Sequence, residues 1–334
     1  MKQLFFVFVL GVASASAAYA NPCQEKKGAL DFGSGTTKAF AAIVDTCQKK
    51  IVSVLYEERL PLALNEALEK SPKKEIPVET VQEALPQIKR IVNQMTQLEV
   101  KNIQAVATSV FRVAKNGAAI AQMIFHETKV PIQVISQERE AELGYWSALA
   151  QKAVRPSETV IVWDIGGGSM QMYSRQKNKA HIYQGNLASV TFKNQILQIL
   201  QFKDPAQVSS PNPLGRQREA AVQLAKNHAY LNVPTYFKEK AVVARWIGVG
   251  GVLSASVQRQ VKAGATDFTV SELDETLKRQ AVLRDDQLSG SYKISDVSNL
   301  ALVLGYMQAL KIGKVETAQA SLGQGLLFYN LNKK

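Results

Sequence analysis

Two short segments of this chain carry residue types that suit phosphate binding. One is Asp31-Phe32-Gly33-Ser34-Gly35-Thr36-Thr37, and the other, about 130 residues further on, is Asp164-Ile165-Gly166-Gly167-Gly168-Ser169. Each follows an apolar run, Gly28-Ala29-Leu30 and Val160-Ile161-Val162-Trp163, and each leads into a second strand-like run. A carboxylate at a strand end can hold Mg²⁺ or a water molecule. A Gly/Ser/Thr turn lets bare backbone N–H groups approach phosphate oxygens. One such turn says little. Two of them, each led by Asp and closed by Ser or Thr, suggest half-sites facing each other across a cleft, which suits phosphoryl chemistry. Ser34, Gly35 and Thr36 would bind one phosphate through N–H and hydroxyl groups. Gly166, Gly167, Gly168 and Ser169 would take its neighbour, with Asp31 and Asp164 beside Mg²⁺ or its waters.

The elements around these turns repeat one grammar. The first turn lies inside a hairpin, followed by a third strand over 50–56. A loop with room for one helical turn covers 57–77, and helical spacing of Val81, Ala84, Ile88, Ile91, Val92 and Met95 marks a helix over 78–100. A strand over 103–108, a helix over 117–125, a strand over 131–135 and a helix over 138–150 complete the first half. The second half has strands over 160–164, 170–174 and 180–184, then helices over 191–200 and 216–230. A strand over 244–249 precedes Gly250-Gly251, which opens another helix. Helices follow over 270–283 and 298–312, and a glycine turn over 318–325 enters the last helix. This is two α/β units, each with a three-stranded meander and a glycine turn between its first two strands.

The first residues point to export. Lys2 supplies a positive start, Leu4 to Leu10 an apolar core, and Ala18-Tyr19-Ala20 a small-residue cleavage site. Residues 1–20 are therefore expected to be a signal peptide and the protein periplasmic or secreted. Residues 21–143 form the first domain and 144–334 the second, whose last helix is free to pack back on the first. No later segment reads as transmembrane, so stable membrane insertion is not expected. Cys23 and Cys47 are the two cysteines of the chain. In an exported protein two cysteines are expected to pair. If the first hairpin turns at Gly35, they lie 12 residues either side of it, facing each other across an antiparallel pair.

Net charge is +12, a bias that fits an anionic partner. No block of five or six Lys/Arg and no basic–aromatic interleaving is present, so nucleic acid is not expected. His126, His181 and His228 match no metal-ligand spacing.

With those turns, the arrangement resembles the actin-like ATPase and sugar-kinase superfamily. Within it the chain resembles the exopolyphosphatase/guanosine pentaphosphate phosphatase (Ppx/GppA) family. The segment Asp31 to Thr36 is similar to that family's Asp-x-Gly-Ser-Asn-Ser turn. Thr108-Ser109-Val110-Phe111-Arg112-Val113-Ala114-Lys115-Asn116 is similar to Thr-Ser-Ala-x-Arg-x-Ala-x-Asn. Ile135-Ser136-Gln137-Glu138-Arg139-Glu140-Ala141 is similar to Ile-Ser-Gly-x-Glu-Glu-Ala, and Asp164 to Ser169 matches outright. Gly248 to Val252 and Gly323-Gln324-Gly325 look like its later glycine turns.

The resemblance implies two actin-like (ribonuclease H-like) α/β domains flanking an interdomain cleft. It also implies Mg²⁺-dependent hydrolysis of terminal phosphoanhydride bonds in inorganic polyphosphate or a guanosine polyphosphate. Glu140 would be the general base, taking a proton from the attacking water. Arg112 would fork onto a phosphate, and Lys38 occupies a place that is often basic. Export favours polyphosphate or scavenged nucleotides over a kinase reaction on ATP. Four positions depart from the pattern. Gln171 stands where the family has Glu, and Gly35, Gln137 and Arg139 replace Asn, Gly and Glu. An amide cannot take a proton or hold Mg²⁺ as a carboxylate does. The second reading is therefore an inactive polyphosphate- or nucleotide-binding sensor on the same fold. Homodimerisation is left open.

Overall fold

The computed structural model describes residues 22–328 except 49, 153, 156, 178 and 291. The expected leader, residues 1–20, lies outside the described residues.

The first half is built from β1 (Gln24–Phe32), β2 (Thr36–Asp45), β3 (Lys50–Pro61), α1 (Leu64–Lys70), α2 (Val78–Gln97), β4 (Asn102–Ala107), α3 (Ser109–Val113), α4 (Gly117–Thr128), β5 (Ile132–Val134) and α5 (Gln137–Leu149). Its strands form one sheet in the order β3-β2-β1-β4-β5. The first three are an antiparallel meander, and β4 and β5 join in parallel.

The second half holds β6 (Val160–Ile165), β7 (Met170–Gln176), β8 (Lys179–Gly185), α6 (Ser189–Gln195), α7 (Arg218–Asn232), α8 (Thr235–Lys240), β9 (Arg245–Val249) and α9 (Gln258–Lys262). It ends with β10 (Asp267–Thr269), α10 (Val270–Gln280), α11 (Lys293–Leu310), β11 (Lys314–Thr317) and α12 (Leu322–Leu326). The sheet order is β10-β11-β9-β6-β7-β8. Again an antiparallel meander is extended by parallel strands, with β10 added antiparallel at the far edge. The expected two-unit α/β architecture is present.

Apolar residues on both faces of the first strand of each sheet explain its position. In β1, Leu30 and Phe32 face a core completed by α2, α3 and α4, while Ala29 faces Phe40, Val106, Leu143, Leu322 and Leu326 on the other side. A strand covered on both faces reads as a continuous apolar run.

α5 lies between the sheets and is apolar toward each. Leu143 packs with the first sheet and α12, whereas Ala141, Tyr145 and Ala148 pack with Val160, Val162, Tyr173 and Ile247 of the second. α12 thus sits against the first sheet although it ends the second half of the chain. Full burial of Leu322 or Leu326 contributes roughly 2 kcal/mol each.

Several expectations are corrected. The hairpin register pairs Phe32 with Thr37 and Gln24 with Asp45. Its turn is therefore centred between Ser34 and Gly35 rather than on Gly35. Cys23 and Cys47 still bond, at the open end of the hairpin. Residues 57–61 continue β3 instead of starting a loop, and α11 begins at Lys293 rather than at 298. β10 and β11, at three and four residues, are too short for an alternating pattern to be visible. Among the described residues no helix is long and apolar enough to cross a membrane.

Candidate active site

The two glycine turns are closed in the same way. Gly33 N–H donates to Thr36 O at 3.2 Å, and Gly166 N–H donates to Ser169 O at 2.9 Å. On the ladders leading away, Asp31 stands opposite Lys38 and Asp164 opposite Gln171. Lys38 and Gln171 are thus counterparts in the two halves. The backbone N–H groups of Ser34, Gly35, Gly167 and Gly168 donate to no other described residue. Free amides in successive turn positions are available to an anion.

The turns also meet. A Cβ on Gly167 would lie 3.5 Å from Ser34 Cβ. One on Gly168 would lie 3.0 Å from Asn65 Oδ1, 3.1 Å from Ser109 Oγ and 3.6 Å from Ser34 Oγ. A side chain at Gly168 would crowd the Asn65 and Ser109 side chains, which would have to give by a few tenths of an ångström. A cavity of about 360 Å³ lies between α1 and α6, with Glu66, Glu69, Lys70, Thr191, Lys193 and Asp204 in its walls; no residue of either turn lines it.

Three carboxylates, Asp31, Asp164 and Glu140, lie close enough to repel one another. Asp31 is 4% exposed and Glu140 7%. Asp31 Oδ2 is 4.0 Å from Lys38 Nζ, and its Oδ1 has no hydrogen-bond partner. Burial raises the Asp31 carboxyl above its usual range, against the pull of Lys38. Burial also pushes Asp164 up to about 6, opposed by Lys38 and assisted by Asp31.

Glu140 lies in the first turn of α5, which Ser136 caps by accepting Arg139 N–H at 3.2 Å. Burial pushes it up to about 7; Arg112 pulls the other way, and Asp164 and Asp31 add repulsion. A helix N-terminus favours the ionised form by under about 1 kcal/mol, too little to offset removal from water. Arg112, on α3 after β4, places Nη1 2.7 Å from Glu140 Oε2 and 2.9 Å from Ile135 O. Arg112, expected on a phosphate, therefore forms an ion pair with Glu140, although Glu140 Oε2 accepts no well-aligned hydrogen bond.

An Mg²⁺ ion fits this donor set. Asp31 Oδ1 is a buried oxygen without a partner, and three carboxylates face two cations, Lys38 and Arg112. Among the described residues Asp31, Asp164 and Glu140 do not bring oxygens within 4.8 Å of one another as a set. An ion bound there would have to keep several of its waters.

Gln171 is 1% exposed, and its Nε2 donates to Ser169 Oγ at 3.0 Å. It braces the second turn from behind. Gln137, another departure from the family pattern, donates to Met170 O at 3.2 Å and Gly185 O at 3.1 Å. It ties the start of α5 to the second sheet. Arg139 pairs with Glu142 at 2.6 Å.

Sequence reading missed Asn65, in a stretch taken as loop, and gave Ser109 no role of its own. It also gave none to Gly250, which has φ +79° and would drive any Cβ into Asp164 Oδ1. The glycine-rich context of Gly250 and the family-like segment around Ser109 offered a signal; Asn65 had none.

The sequence profile of the Ppx/GppA phosphatase family matches residues 43–198. A guanosine-5'-triphosphate,3'-diphosphate pyrophosphatase from Pseudoalteromonas translucida is 25% identical over 243 residues, 68% of this chain and 44% of that protein. A bifunctional 3-dehydroquinate synthase/phosphatase from Fusobacterium nucleatum is 26% identical over 148 residues, 43% of this chain and 22% of that protein. The chain thus spans less than half the length of these curated relatives. An exopolyphosphatase structure from Cytophaga hutchinsonii superposes with a TM-score of 0.70 at 17% identity, covering 91% of this chain and 97% of that one. This is a likeness of fold.

Proposed function

The chain belongs to the Ppx/GppA phosphatase family, and from that premise we propose that it hydrolyses terminal phosphoanhydride bonds of inorganic polyphosphate or a guanosine polyphosphate. The observation that carries the reading is Glu140, a buried carboxylate pushed up to about 7 beside Arg112 and Asp164. A base tuned near neutral pH can take a proton from water as the water attacks.

The free amides of Ser34, Gly35, Gly167 and Gly168 hold the phosphate oxygens, and the Ser34, Thr36 and Ser169 hydroxyls add donors. Deprotonated Glu140 orients a water and accepts its proton as the water oxygen bonds to the terminal phosphorus. The bond to the bridging oxygen breaks, and that oxygen leaves on the shortened chain. Arg112 holds Glu140 in place and offers its other N–H groups to the phosphoryl oxygens. Mg²⁺, held by Asp31 and Asp164, would neutralise charge on the phosphates. Export to the periplasm or beyond agrees with the Cys23–Cys47 bond, and in that compartment inorganic polyphosphate is the favoured substrate.

The test is phosphate release by the chain from Asn21 onward. Long-chain polyphosphate, short-chain polyphosphate and guanosine pentaphosphate are each offered with and without Mg²⁺, alongside Glu140→Ala. Release is expected to require Mg²⁺ and to fall on the order of 1,000-fold in Glu140→Ala. Tight binding of any of these substrates without release would replace the hydrolase by the inactive sensor.

A further inference from the structure

Asn65 is 6% exposed and its Nδ2 has no hydrogen-bond partner. Buried amide donors are rarely left so. Its backbone N–H donates to Ser34 O at 2.8 Å, fixing the residue to the first phosphate turn. Its Oδ1 lies 3.0 Å from where a Cβ of Gly168 would stand, in the second turn. The side chain therefore sits where the two turns meet. The backbone before it is held out of its ordinary range to reach this place. Ala63 has φ 44°, the left-handed region, which alanine adopts only where its surroundings enforce it. The N–H groups of Leu62 and Ala63 both donate to Gly35 O, the next carbonyl of the same turn. The turn and Asn65 are thus built as one unit.

We infer that Asn65 is a substrate-contacting residue that donates its side-chain amide to a phosphoryl oxygen bound between the two turns. The inference rests on the phosphate reading of the site, but not on hydrolysis. An amide is suited to this place. It gives two donors without adding another charge. Ser109 Oγ, 3.1 Å from the same point on Gly168, is placed to add a second donor.

The experiment measures calorimetric affinity for inorganic tripolyphosphate in a Glu140→Gln background, where the probe is not consumed. Asn65→Ala and Asn65→Asp are compared, with thermal unfolding of each. Loss of one hydrogen bond to a charged oxygen predicts affinity weaker on the order of 10-fold in Asn65→Ala. Asn65→Asp is the closer match in shape but sets a negative charge against the phosphate, so it is expected to lose about 10-fold more. A structural role gives the opposite order, with Asp tolerated better than Ala. That order, or unchanged affinity in Asn65→Asp, overturns the inference. Failure of the Glu140→Gln parent to bind tripolyphosphate removes the phosphate reading itself. Binding by the parent without hydrolysis by the wild-type protein removes only the proposed activity and leaves the role of Asn65 to the order of the two variants.

Discussion

At the scale of single residues, the site is governed by buried carboxylates in competition. Glu140 at about 7 and Asp164 at about 6 both lie above their ordinary values of 4.5 and 3.8, chiefly because burial penalises charge. The two consequences run in opposite directions with pH. A base must be ionised, so activity is expected to rise roughly tenfold from pH 6 to pH 8. A carboxyl whose folded pKa is raised binds its proton more tightly in the native state. It therefore contributes stability below about pH 4 that is lost as pH rises through its folded value. Without Mg²⁺, Tm should fall between pH 5 and 8, and Glu140→Gln should flatten that fall. A parallel Tm profile in the variant would contradict the pKa assignment. Gln171 sets a second contrast. It stands opposite Asp164 as Lys38 stands opposite Asp31, and its amide is spent on Ser169 Oγ. A glutamate there could accept from the same hydroxyl and add a carboxylate to the cluster. Gln171→Glu is expected to raise Mg²⁺-dependent turnover, with half-saturation at roughly tenfold lower Mg²⁺. Equal or lower activity at matched folding would count against a carboxylate role at this position.

At the scale of elements, position matters more than propensity. α5 carries Glu140 because two sheets need one helix between them, and its first turn opens beside both glycine turns. The end of β9 does comparable work. Gly250 follows it with φ +79° and backs directly onto Asp164 Oδ1. Alanine there meets a left-handed penalty of about 1–2 kcal/mol and also pushes the carboxylate away. Gly250→Ala is expected to lower Tm and to cut turnover at least tenfold; wild-type values for both would show that the loop yields freely. The first hairpin is secured elsewhere. The Cys23–Cys47 bond closes its open end, far from the glycine turn, and a loop of 24 residues loses about 3 kcal/mol of unfolded-state freedom on closure.

At the scale of the whole molecule, the two sheets repeat one plan and are joined by elements that belong to neither alone. α5 is buried against both, Gln137 bonds across to β7 and β8, and α12 returns to the first sheet. The site lies at this junction, so its geometry depends on how the halves dock. The net charge of +12 acts over the same scale, drawing polyanions toward the molecule in a salt-dependent way.

The sequence by itself determined the repeated strand–turn–strand units, the Asp-led glycine turns and the α/β class. It also carried the family resemblance and a cysteine spacing that allowed a bridge. These are legible because glycine turns, apolar runs and helical spacing are requirements of the local backbone. Tertiary structure decided which side chains meet. Arg112 joins Glu140 across two separate elements, Gln171 turns inward to brace Ser169, and Asn65 comes to Gly168 from a stretch with no motif. α11 shows the same limit. Its first turns carry the polar residues Ser295, Asp296, Ser298 and Asn299, yet Asp296 is 1% exposed and bound to Arg259 at 2.6 Å. A polar residue can be buried once a distant partner compensates it, and no window of the sequence contains that partner.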